Sequence, residues 1–196
     1  MIVWTSFKTV RPGDQGFLSF DFSLANYIRA YATQEFWSAT WNTLKFATAS
    51  TVSAFILGTF LSWVVERTNT PLARVLGTVT LARIIIPGIL IAISWIFIAS
   101  PRIGFLTDII ERVTGISQAV NIYTFWGMVW VFSLEMVPLA YLLTSAAFRA
   151  LDPRLEEAST MTGAGTLRTL RRISLPLIAP AILAAMLLLF ITSIET

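Results

Sequence analysis

Two charged residues, Arg83 and Glu135, stand inside long apolar runs of the chain. On insertion scales an ionisable side chain at the centre of a membrane helix costs roughly 2.5–3.5 kcal/mol, so such residues face a protein bundle or a water-filled path rather than lipid. Glu135 lies near the middle of its run and is the stronger candidate for a translocation path. Arg83 lies about 12 Å from Val75 at 1.5 Å per residue, and its long side chain can reach back to the nearer surface. The plainer reading of both is a buried structural pair or a bond to backbone. Pro87 frees the carbonyl of Arg83 and Pro138 that of Leu134, because a proline removes the helical bond four residues back. Phe125, Trp95, Trp126 and Trp130 read as packing rather than as a ligand cage. The chain has no Cys and no His. That removes thiol chemistry, Cys/His zinc sites and histidine general-base mechanisms, and no catalytic, cofactor-binding or metal-ligating residue is assigned.

The second informative stretch is 149–176. Asp152 followed by Pro153 is a helix start, with Asp as N-cap and Pro at the first helical position. Glu156 and Glu157 lie near the positive end of that helix. It continues to Met161 or Thr162, where Gly163 offers a left-handed stop that a residue with a Cβ resists. Thr166 can cap a second short helix bearing Arg168, Arg171 and Arg172, and Pro176 marks the entry to the next apolar run. The stretch therefore reads as a helix–turn–helix. Leu155, Ala158, Ser159 and Thr162 share one face at i, i+3, i+4, i+7, and their small side chains suit insertion into a partner's groove.

Apolar segments must position these groups. Four are long enough to cross a hydrocarbon core, which needs about 20 residues: 41–65, 75–100, 123–148 and 175–194. They are apolar around the whole circumference, as membrane helices are. Composition agrees. Of 196 residues 56% are hydrophobic and 13% charged, against roughly 25% charged in soluble domains, and mean hydropathy is +0.73. The expected fold is an all-α membrane bundle of four transmembrane helices. Phe105–Val113, within the 101–122 loop, could add a short amphipathic helix, and residues 1–41 are mixed in polarity with turn signals at Pro12-Gly13 and Gly16. The net charge of +3 is too modest to indicate nucleic-acid binding.

Arginine placement orients the chain. The 66–74 turn and the 149–174 loop carry Arg67, Arg74, Arg149, Arg154, Arg168, Arg171 and Arg172. The longer opposite side, 1–41 and 101–122, carries Lys8, Arg11, Arg29, Arg102 and Arg112. The denser side is expected inside, with Trp37 and Trp41 at the outer interface and Trp63 near the inner one. Residues 1–41 then form an external segment with no signal peptide before it, and the sequence stops at Thr196, just past the end of the last apolar run. We expect a fragment of a longer membrane protein, with further spans before Met1 and after Thr196.

The stretch Glu157-Ala158-Ser159, three residues, Gly163, nine residues, Ile173-Ser174-Leu175-Pro176 resembles the EAA loop of ABC importer permeases. That pattern is E-A-A, three residues, G, nine residues, I, any residue, L-P. Ser159 in place of Ala is the single departure, conservative in size. Asn42-Thr43-Leu44 at the start of the first span, and Phe148-Arg149-Ala150-Leu151-Asp152-Pro153 before the loop, are also similar to this family.

The resemblance implies a multi-pass permease subunit of a bacterial plasma (inner) membrane, forming the substrate path within the lipid bilayer. It implies a second permease half and a periplasmic or lipid-anchored substrate-binding protein. It also implies ABC ATPase subunits that carry ATP and bind the cytoplasmic coupling loop, at Leu155, Glu157, Ala158, Ser159, Gly163, Ile173, Leu175 and Pro176. No phosphate-binding G-x-x-x-x-G-K-[ST] loop occurs in this chain, so hydrolysis is expected on the partner and no cofactor on this chain. Ser193-Ile194-Glu195-Thr196 resembles the opening of a block in ferric-iron-type permeases. Ferric iron, polyamine, thiamine or an anion all remain open as substrate. An ion-coupled secondary transporter is the alternative, which Glu135 permits and the EAA spacing opposes. A membrane enzyme is disfavoured by the lack of His, Cys and clustered carboxylates within the spans.

Overall fold

The computed structural model describes residues 2–8, 22–116 and 120–195. The turn signals at Pro12-Gly13 and Gly16 lie outside the described residues. Every described element is helical. The chain forms two compact units, Met1–Lys45 and Phe46–Thr196.

The first unit holds two short helices, α1 (Ile2–Ser6) and α2 (Ala25–Tyr31), and the start of α3 (Gln34–Arg67). Tyr27 and Ser6 share a hydroxyl hydrogen bond of 2.7 Å, and Asn26 Nδ2 donates to the Lys8 carbonyl at 2.6 Å. Phe7 packs on Tyr27 with ring centroids 5.3 Å apart. The helix that carries the first expected span starts at Gln34 rather than Trp41. At 1.5 Å per residue its 34 residues run about 51 Å, well beyond a hydrocarbon core of about 30 Å.

In the second unit α3 continues to Arg67. There follow α4 (Ala73–Ala82) with a 3-10 turn at Arg83–Ile85, α5 (Gly88–Ala99), α6 (Phe105–Thr114) and α7 (Phe125–Ala150). Then come α8 (Pro153–Met161), α9 (Thr166–Thr169), a π-helical turn Leu170–Ser174 and α10 (Leu175–Glu195). Among the described residues three helical runs are long and apolar enough to cross a membrane: Gln34–Arg67, Phe125–Ala150 and Thr166–Ile194. The second of the four expected spans, 75–100, consists of two helices that meet at 107°. The break falls where Ile86, ahead of Pro87, is extended at ψ 121, as the residue before a proline prefers. If the bent pair counts as one span, the total rises to four.

The amphipathic helix expected at Phe105–Val113 is present as α6, closed by Gly115 at φ +73. Pro138 lies buried inside an unbroken α7.

The helices meet through small residues. On α3, Ala47, Ser50, Thr51, Ala54, Gly58 and Ser62 are buried, a stripe repeating every three or four residues. A Cβ built on Gly58 would lie 2.5 Å from Ala140 Cβ and 2.9 Å from the Tyr141 nitrogen, so the α3 and α7 backbones approach as closely as glycine allows. Ser62 Oγ donates to the Tyr141 carbonyl at 2.9 Å and shares a 2.7 Å bond with Thr144. In lipid such interhelical bonds average only about 0.6 kcal/mol each, and close packing supplies most of the rest. α10 packs along α7 and buries Ile178, Ala185, Leu189 and Ser193.

This seam generates a prediction. Gly58→Leu overpacks the α3–α7 contact against backbone that cannot yield, and we expect a loss of about 1–3 kcal/mol. Thermal unfolding of the purified protein in detergent measures it. A melting temperature equal to wild type would contradict the close approach.

Candidate functional site

The 149–174 stretch folds as two helices joined by a tight turn, and each local signal can be checked against atoms. Asp152 Oδ1 accepts from the Arg154 N–H at 3.0 Å, with Pro153 in the first helical position. α8 ends in a turn where Gly163 takes φ +84. The Gly163 N–H donates to the Thr160 carbonyl at 2.9 Å and the Ala164 N–H to the Ser159 carbonyl at 3.2 Å. Open space surrounds Gly163, so a side chain there is opposed by the positive φ alone.

One detail differs from expectation. Gly165, not Thr166, precedes the first turn of α9, and no side chain caps it. Pro176 stands at the entry to α10 as its second residue, within a helical run that is continuous from Thr166. The wider π turn at Leu170–Ser174 ends two residues before this proline, whose missing N–H cannot continue the regular bonding ladder.

The structure divides the four-residue face expected on α8. Leu155, Ala158 and Thr162 are exposed, as is Glu157. Ser159 turns inward and shares a 2.8 Å hydroxyl bond with Thr169 on α9. It also lends its carbonyl to Thr162 Oγ1 at 2.7 Å. Ser159 thus fastens the two short helices together and leaves the outward face to Leu155, Glu157, Ala158 and Thr162. Ile173 and Leu175 are half-buried, and Pro176 is exposed.

Sequence reasoning missed the residues that anchor this loop. Arg67, the last residue of α3, donates from Nη2 to the carbonyls of Phe148 and Leu151, the latter at 2.7 Å. Its Nη1 lies 3.3 Å from Glu156 Oε2 on α8. Glu156 Oε1 in turn accepts from Ser174 Oγ at 2.5 Å. Beside this chain, Glu66 Oε1 accepts from Arg149 Nε at 2.9 Å, Arg149 Nη2 at 2.7 Å and Ser145 Oγ at 2.6 Å. A cleft of about 560 Å³ lies between the end of α3 and the loop, lined among others by Arg67, Asn69, Glu156 and Thr169. In the sequence these arginines register only as topological charges. No spacing along the chain connects 67 with 156.

Glu135 and Arg83 are not brought together, and no ion pair joins them among the described residues. Arg83 Nη1 turns back to the Ile86 carbonyl at 3.4 Å, a long bond to backbone at the break before Pro87. Glu135 is half-buried on α7. Its carboxylate fills the space over Gly88, where a Cβ would lie 2.0 Å from Oε1. Gly88 opens α5, so the negative group sits at that helix's positive end. Trp95 and Trp130 meet edge to face at 6.2 Å and Phe125 and Trp126 at 5.3 Å, which is ring packing. Among the described residues no group of three His, Cys, Asp or Glu could hold a metal ion.

The Gly88–Glu135 contact makes a prediction. Gly88→Ala should destabilise by about 1 kcal/mol when Glu135 is present and by much less in a Glu135→Ala background, since contacting residues couple. Thermal unfolding of the four proteins in detergent gives the cycle. Equal costs in both backgrounds would contradict the contact.

Comparison with known proteins adds three findings. Residues 54–196 match the family described as binding-protein-dependent transport system inner membrane component. The chain is 30% identical over 171 residues to a putative ABC transporter permease protein, ORF1, of Streptomyces antibioticus, covering 87% of this chain and 67% of that one. It is 29% identical over 185 residues to the sn-glycerol-3-phosphate transport system permease protein UgpA of Escherichia coli, covering 91% of this chain and 60% of UgpA. The chain thus spans about three fifths of UgpA. Its fold superimposes on a bacterial ABC transporter involved in the import of the acidic polysaccharide alginate, with a TM-score of 0.75 at 17% identity, over 100% of this chain and 71% of that one. None of these names mentions ferric iron, so the subgroup suggested by residues 193–196 gains no support.

Proposed function

Because this chain belongs to the family of binding-protein-dependent transport system inner membrane components, we propose that it forms part of the substrate path of an ABC importer. In this reading the 149–174 loop is the cytoplasmic dock for separate ATPase subunits, which bind and hydrolyse the ATP. A second permease half completes the path, and a binding protein delivers substrate from outside. The bent pair α4–α5 counts as one span, giving a four-helix bundle in this part of the molecule. The 66–74 turn lies on the same inner side as the loop, as the arginine distribution indicates. Large apolar side chains such as Ile56, Phe60, Ile89 and Leu187 are exposed, and lipid or the second half covers them.

The observation that carries this reading is the shape of α8. A helix fixed by Asp152 and Gly163 presents Leu155, Glu157 and Ala158 outward, at the positions where the family resemblance places the ATPase contact. Ser159, the one departure from the E-A-A pattern, is turned away from that surface. Glu157 is the charged contact and Ala158 the close-packing one. The substrate is a polar, hydroxylated solute, a reading supported by the relative named for sn-glycerol-3-phosphate transport. Ligand binding drives such a machine by biasing two states, outward and inward.

Ala158→Trp should block docking by steric overlap, and Gly163→Val should misdirect the turn, because a β-branched residue strongly disfavours positive φ. Both changes lie away from the apolar helices, so insertion into the membrane should be unchanged. Co-purification of the ATPase subunit with each variant measures docking, and we expect a loss of about tenfold or more. Wild-type recovery of the ATPase by both variants would contradict the assignment.

A further inference from the structure

We propose that Arg67 is the positioning residue through which movement of the docking helix reaches the long helices. The inference rests on the importer reading above. The guanidinium stands where α3 and α7 end and α8 begins. It closes α3, and it binds the carbonyls of Phe148 and Leu151 at the end of α7. These are carbonyls at a helix end, which lack the regular i+4 partner; that of Phe148 also accepts from the Leu151 N–H at 3.2 Å, and a cation complements the negative helix end. Its remaining amino group meets Glu156 on α8. Through the second oxygen of Glu156 the chain of bonds continues to Ser174, at the entry to α10. A displacement of α8 therefore pulls on α3, α7 and α10 through one charged group.

Burial makes this tie stiff. The Arg67 side chain is 9% exposed and that of Glu156 21%, so salt screens the pair less than a surface pair. Removing one partner leaves the other charge buried without its counter-ion. A lysine offers a single ammonium on a flexible stem and cannot hold the fixed fork that spans two carbonyls and a carboxylate. The neighbouring Glu66–Arg149 pair behaves differently. It joins α3 to α7 and makes no bond to α8, and Arg149 is 66% exposed. Its loss should weaken that end of the bundle without freeing the loop.

Residues 1–196 contain no cysteine, so once any cysteine elsewhere in the assembly is replaced, paired labels can be placed cleanly. Spin labels at Met161, which is 89% exposed, and at Asn69 report the distance between the docking helix and the end of α3. The experiment uses the full-length permease assembled with its ATPase subunits, without nucleotide and with ATP plus vanadate. In wild type we expect one narrow distance in both states, because loop and helix end move together. In Arg67→Gln and in Glu156→Gln the distribution should broaden about twofold and shift with nucleotide. Amide exchange over 153–162 should quicken about tenfold, as for a segment that has lost its tertiary anchor. Glu156→Gln keeps the bonds from Arg67 to the α7 carbonyls, so it separates loss of the tie from loss of the fold. Arg67→Lys should fall between wild type and Arg67→Gln, and Arg149→Gln should match wild type. Unchanged distances and exchange in both Arg67→Gln and Glu156→Gln would overturn the proposal while leaving the docking reading standing. A wild-type chain that recruits no ATPase would overturn both.

Discussion

A buried guanidinium must find partners, since an unpaired charge in a low-dielectric setting is costly. The way Arg67 finds them sets the layout of one whole end of the molecule. Its fork takes two carbonyls from α7 and a carboxylate from α8. The helix–turn–helix is thereby held against the ends of the long helices rather than left as a free connection. Ser159 and Thr169 close the inner side of the same loop, and Gly163 turns the chain between its two helices. The outward side is left with few internal obligations, which is the condition for a surface that binds something else.

Away from that end, the bundle obeys a different constraint. Lipid offers no hydrogen bonds and little hydrophobic drive between helices, so contact must come from shape and from polar groups satisfied within the protein. The α3–α7 seam meets this with Gly58 against Ala140 and with hydroxyls that bond to the facing backbone. The bent pair α4–α5 breaks the regular pattern, and two charged residues attend the break. Arg83 returns to the Ile86 carbonyl, and Glu135 lies over Gly88 at the head of α5. For Arg83 this favours the backbone-bonding reading over the path. Glu135 keeps its place as a candidate path residue, held at the start of a helix that changes direction.

Much of this was legible in the sequence where the cause is local. Asp152, Pro153 and Gly163 act within a few residues, and the structure places each as its chemistry requires. The long apolar runs announced the helices for the same reason, since length and composition are enough to define them. What depends on distant partners could not be read. Glu156 looked like a dipole-complementing charge until Arg67 and Ser174 stood beside it. Ser159 looked like part of a docking face, because helical spacing alone does not say which side a neighbour will cover. Pro87 signalled a missing backbone bond, but an apolar run has no mark that separates a mild bend from a 107° turn. Thr166 yielded its capping place to Gly165 because the chain leaves the preceding turn extended at that glycine, ψ 159.

The central claim is that α8 presents its outward face to an ATPase. The direct measurement is photo-cross-linking in membranes that contain the assembled transporter. One chain carries the photoreactive residue at Glu157 and a second carries it at exposed Arg102, on the side expected to lie outside. The account predicts a covalent adduct with the ATPase subunit from position 157 and none from position 102. An adduct from 102, or silence at 157 in a complex that still contains the ATPase, would contradict it.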